Sequence, residues 1–70
     1  MAKGTPTDLN LWVLNEVFKE APRVPNQVKP TNAPHLRRCF KAGLLEVQGR
    51  ELVLTLKGAE ALVEWRLGNG

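Results

Sequence analysis

The sequence predicts a small α+β domain with the order helix, short turn or helix, helix, β-hairpin, helix. Three observations carry this prediction. Apolar residues recur at spacings of three and four before residue 21 and again after Thr55. Four prolines, Pro22, Pro25, Pro30 and Pro34, interrupt the middle of the chain. After Gly43 the apolar period changes from helical to alternating. A hairpin of this size does not stand alone, so it must pack on the helices.

Each element has its own signals. Thr5-Pro6-Thr7-Asp8 reads as a helix start, with Thr5 as cap and Pro6 at the first helical position. No Gly or Pro follows until Pro22, which ends this helix, and Leu11, Leu14, Phe18 and Ala21 share one face. Asn26-Gln27-Val28-Lys29 allows at most a short helical turn. Asn32 or Thr31 then caps a second clear helix, with Pro34 in its first turn, running to Ala42. Gly43 is its left-handed stop. Leu36 and Phe40 lie on one side of this helix with Ala33. At about 100° per residue, Pro34, Arg38 and Lys41 point the other way, flanked by His35 and Arg37. Leu45, Val47, Leu52 and Leu54 face one side of a hairpin that turns at Gly49-Arg50. Thr55 caps a last helix with Gly58, Leu62 and Trp65 on its inner face. Residues 1–4 and 68–70 read as frayed ends.

Seventy residues allow one domain, residues 1–70, and the 43% apolar fraction is that of a folded chain. A core this small needs very regular packing, a staple or an oligomer. Cys39 is the only cysteine, so no intrachain disulfide forms, and a reducing cytoplasm fits better than secretion. No apolar run approaches the roughly 20 residues of a membrane span, and the first residues lack the apolar stretch of a signal peptide.

The charge is unevenly placed. Formal net charge is +3 and the sequence pI about 9.5. Between Glu20 and Glu46 there is no acid, while Arg23, Lys29, Arg37, Arg38 and Lys41 sum to +5. The rest of the chain sets Lys3, Lys19, Arg50, Lys57 and Arg66 against seven acids, a balance of −2. Five cations without a compensating carboxylate point to an anionic partner. The plain alternative is a solvated basic face.

The stretch His35-Leu36-Arg37-Arg38-Cys39-Phe40-Lys41-Ala42-Gly43-Leu44-Leu45-Glu46 resembles the recognition helix and first wing strand of winged helix-turn-helix proteins. Glu51-Leu52-Val53-Leu54-Thr55-Leu56-Lys57-Gly58-Ala59-Glu60-Ala61-Leu62 resembles the closing part of the same motif. MarR- and PadR-like regulators carry such a pair: a helix ending in Ala-Gly-Leu, a hairpin, then Leu-Thr-x-x-Gly opening a helix. The resemblance covers roughly residues 31–65, at superfamily level. It implies a small winged helix and double-stranded DNA as partner, in a transcriptional regulator of bacterial or phage type. Two features depart from the pattern. Only residues 25–29 are available for the first helix of the helix-turn-helix, and the wing is short, with Arg50 at its tip.

The expected DNA contacts are Lys29, Asn32, His35, Arg37, Arg38, Lys41 and Arg50. A helix fits the major groove, where Arg reaches the guanine edge and Lys or Arg holds phosphates. Asn32 and His35 lie in the first turn, which meets base edges in helix-turn-helix docking. Lys29 and Arg23 would meet flanking phosphates. His35 and Cys39 are two potential ligands where a zinc site wants four, so no metal site is expected. Nor does the chain contain a catalytic constellation, a phosphate loop or a cofactor motif, and binding rather than catalysis is expected. Leu9, Trp12 and Val13 lie away from the Leu11, Leu14 and Phe18 face of the first helix. They form a candidate interface, for a homodimer or a protein partner, unless the last helix covers them through Trp65 and Leu67. The rival function is a winged-helix protein-interaction module, a phage-encoded inhibitor or assembly subunit without sequence-specific DNA binding.

Overall fold

A computed structural model describes residues 6–69 of the chain. The expected Thr5 cap, residues 1–4 and Gly70 lie outside the described residues. The elements are α1 (Asp8–Phe18), β1 (Arg23–Pro25), α2 (Ala33–Lys41), β2 (Leu45–Gln48), β3 (Glu51–Leu54) and α3 (Leu56–Asn69). This is an α+β domain with three helices and one antiparallel sheet of order β1-β3-β2.

α1 starts later than the sequence suggests. Thr7, not Thr5, is the cap. Its hydroxyl accepts the Asn10 N–H while the Asn10 side chain accepts the Thr7 N–H, so two orphan donors are satisfied reciprocally. The buried face is also rotated from the expected one. Asn10, Val13, Leu14 and Phe18 are buried, and Leu11 is only half-buried.

The largest departure lies among the prolines. Where the sequence suggests a short helical turn, Arg23–Pro25 forms a third strand along β3, with Val24 opposite Leu52. The Pro22 carbonyl accepts the Leu54 N–H and the Arg50 carbonyl accepts the Asn26 N–H, so the pairing extends one residue beyond each end. Proline is tolerated here because β1 is an edge strand, whose outward side has no ladder to complete. Residues 26–32 then cross to α2 without a helix.

α2 begins at Asn32 without a side-chain cap. It ends at Gly43, φ +81°, with the Gly43 N–H on the Phe40 carbonyl and the Leu44 N–H on the Cys39 carbonyl. That pair is a Schellman closure, and the αL residue it needs is the glycine. The hairpin register pairs Leu45 with Leu54 and Val47 with Leu52 around the Gly49-Arg50 turn, as expected. Thr55 caps α3, taking the Gly58 N–H at 3.0 Å while its own hydroxyl donates to the Gly43 carbonyl at 2.7 Å. A Cβ at Gly58 would stand 1.9 Å from the Leu44 carbonyl oxygen, so only glycine lets α3 approach the β2 corner. α3 is helical through Asn69, past Gly68, where the sequence suggested a frayed tail.

Val13, Leu14, Phe18, Leu36, Cys39, Leu44, Leu45, Leu52 and Leu62 form the core. Among the described residues no helix is long and apolar enough to cross a membrane.

Candidate nucleic-acid interface

α2 is clamped on its inner side. Leu36 and Cys39 are buried against α1 and the sheet. The Cys39 thiol points at the Asn10 carbonyl, 3.6 Å away. Phe40, expected beside Leu36 in the core, is instead half-exposed. About 100° of helix rotation per residue brings Cys39 to the centre of the buried face and leaves Phe40 on its flank toward β2.

This phase decides where the candidate residues go. Arg37, Arg38 and Lys41 are all exposed, together with Pro34. Among the described residues the ion pairs are Glu16–Lys19 and Arg23–Glu51, so none of these three cations, nor Lys29 or Arg50, has a carboxylate partner. Lys57 adds a further cation at the C-terminal end of α2, since a Cβ at Gly43 would lie 4.0 Å from its Nζ. Sequence charge counting places Lys57 outside the basic interval, and only the α2–α3 corner brings it back. Arg50 is exposed at the hairpin tip. Lys29 is exposed in the β1–α2 segment.

Three expected site residues sit elsewhere. His35 is half-buried against α1, with its Nδ1 2.9 Å from Asn10 Nδ2. Because Asn10 Oδ1 is held by the Thr7 N–H, the amide turns its NH₂ group to the ring, and His35 Nδ1 accepts. His35 thus joins two helices instead of facing outward. Asn32 is half-buried and borders a groove of about 540 Å³ between α1 and residues 27–32, together with Trp12, Val17, Val28 and Lys29. Arg23 is on the outer sheet face, 3.0 Å from Glu51 and 3.3 Å from the Gln48 side-chain oxygen. The acid-free interval of five cations therefore carries four uncompensated ones.

The α1 interface candidate also changes. Val13 is 3% exposed and belongs to the core. Leu9 and Trp12 remain exposed with α3 in place; Leu67 itself stands 80% exposed, and besides the shared core an Arg66–Asn15 hydrogen bond of 2.7 Å links α3 to α1.

Burial pushes the Cys39 thiol from 9.0 up to about 11, so it stays protonated and inert. Among the described residues no group of three His, Cys, Asp or Glu could hold a metal ion. No protein-family model, curated protein or solved structure matches the chain.

Proposed function

We propose that the chain is a small winged-helix protein that binds double-stranded DNA and regulates transcription by occupying it. In this reading α2 is the recognition helix, the β2–β3 hairpin is the wing, and β1 completes the sheet beside β3. The single observation that carries it is the outward side of α2: Arg37, Arg38 and Lys41 are exposed, and none of them is ion-paired among the described residues. A helix with this surface suits the major groove, with guanidinium groups on base edges or phosphates and Lys41 on a phosphate. Lys29 in the β1–α2 segment and Arg50 at the hairpin tip, whose carbonyl accepts the Asn26 N–H, add positive charge from two neighbouring loops that would meet the DNA backbone. His35 holds the helix and makes no base contact. The mechanism is binding alone.

The usual supporting helix of a helix-turn-helix is missing here, and residues 26–32 take its place. That feature, with Leu9 and Trp12 exposed along α1, favours a second reading, a protein-interaction module that docks a partner helix or a second copy on α1. A gel shift of purified protein with random duplex DNA separates the two. The DNA reading expects micromolar affinity at low salt that weakens steeply as salt rises. No shift at low ionic strength would leave the protein-interaction reading.

A further inference from the structure

Phe40 stands at the edge of the basic surface, and half of it is open to solvent. It forms one wall of a groove between α2, the hairpin and the β1–α2 segment, with Val28, Leu36, Leu45, Val47 and Leu52 among the other apolar walls. Val47 is also half-exposed, so the groove opens outward. The one charged residue lining it is Arg37, one helical turn before Phe40, and Lys41 follows Phe40 directly. The acids of the hairpin are turned away: Glu46 pairs with Val53 and Glu51 with Gln48 on the outer sheet face, where Glu51 is bound to Arg23.

An occupant must therefore combine an apolar flat surface with negative charge beside it. The groove is small and open on its outer side. Its volume is about 220 Å³. At about 30 Å³ per water that is room for roughly seven waters, the scale of one planar heterocycle. A docked peptide helix, about 10 Å across, needs a far longer trough. We infer that this groove takes one unpaired nucleobase, stacked on the ring of Phe40, while Arg37 and Lys41 hold the phosphates on either side. A paired base cannot do this, because its faces are covered by its neighbours and only its edges reach the groove of the duplex. An unpaired base has a free face, and stacking on an aromatic side chain does not depend on which base it is. This inference rests on the proposed nucleic-acid reading and names its preferred substrate: DNA with a locally opened strand.

The test compares two fluorescent 20-mers by anisotropy, one fully paired and one with a central bubble of three mismatches. Their phosphate count is equal, so the salt-dependent term is similar for both, and a single low salt concentration is used for each comparison. The bubbled DNA is expected to bind about tenfold more tightly, the value of about one stacked base. Phe40→Ala and Phe40→Leu should both erase that preference and leave the paired duplex bound within about twofold, whereas Phe40→Trp should keep it. The Trp variant also shows whether the site tolerates substitution with the fold intact. Equal wild-type affinity for the two DNAs overturns this inference alone, as does a preference that survives Phe40→Ala. Failure of both DNAs to bind at low salt overturns it together with the DNA reading. An acidic Glu/Leu peptide serves as a third probe. Phe40-dependent binding of that peptide, without discrimination between the DNAs, would assign the groove to a protein.

Discussion

Among the described cations without a carboxylate partner, the five that the proposed reading assigns to DNA are Lys29, Arg37, Arg38, Lys41 and Arg50. If each neutralises one phosphate, the logarithm of the association constant should fall against the logarithm of salt with a slope of about −4.5. From 50 to 200 mM salt, affinity should then drop about 500-fold. Replacing one of these residues by alanine removes one released counterion, so the slope should become about −3.6 and the drop about 150-fold. Arg23→Ala is the control. Its guanidinium is bound to Glu51 on the far face of the sheet, so the slope should stay at about −4.5. Anisotropy titrations of a labelled random duplex at four salt concentrations measure every slope on one protein preparation. The reasoning is refuted if Arg38→Ala and Lys41→Ala leave the slope unchanged, or if Arg23→Ala lowers it as much as they do. Exposed substitutions of this kind change stability by less than about 0.5 kcal/mol, so the fold should survive in all of them.

Gly58→Ala should destabilise by about 3 kcal/mol or more in urea unfolding, because the clash with the Leu44 carbonyl is with backbone and cannot be relieved by a rotamer change; a neutral result would mean that α3 sits farther from β2. Val13→Asp should unfold the domain, whereas Trp12→Glu should keep its circular dichroism. If the exposed Leu9–Trp12 patch joins two copies, sedimentation should show a dimer for the wild type and a monomer for Trp12→Glu. Cys39 should resist thiol reagents at neutral pH until the protein unfolds. Between pH 9 and 11 the unfolded chain loses the thiol proton while the folded chain keeps it, so stability should fall as pH rises, by up to about 3 kcal/mol. A Cys39→Ala variant should lack that part of the slope.

Most of the fold was legible in local chemistry. Gly43, the Gly49-Arg50 turn, Thr55 and Gly58 each meet a need that few residues supply, a left-handed backbone, a cap or a missing Cβ, and all four stand where the sequence placed them. β1 was not legible. Three residues bounded by prolines carry no strand pattern of their own, and their pairing is decided by β3, whose free edge lies about 30 residues away in the chain. The helix phases were harder for a related reason. On α1, Leu11 and Val13 are equally apolar, and which one faces inward depends on where α2 docks. On α2, cysteine and phenylalanine both suit a core. The smaller Cys39 occupies the narrow contact with Asn10, which leaves the bulkier Phe40 at the groove.

Arg38 and Lys41 are exposed, as expected, and so is Arg37, expected on their flank, but what holds that part of α2 outward was not visible. The brace is made of polar links at both ends of α2. At one end, Asn10 ties the Thr7 cap, the His35 ring and the Cys39 thiol together. At the other, the Thr55 hydroxyl holds the Gly43 carbonyl and the Leu44 carbonyl accepts the Thr55 N–H. A lone buried asparagine has no periodic signature, because its value lies in having partners on two helices. His35 is the clearest case. Its place in the first turn of a basic helix suggested a base contact, yet the same helical position one flank inward makes it the side chain that reaches α1. In the proposed reading, His35 is thus part of what orients α2, and contact with DNA is left to Arg37, Arg38 and Lys41.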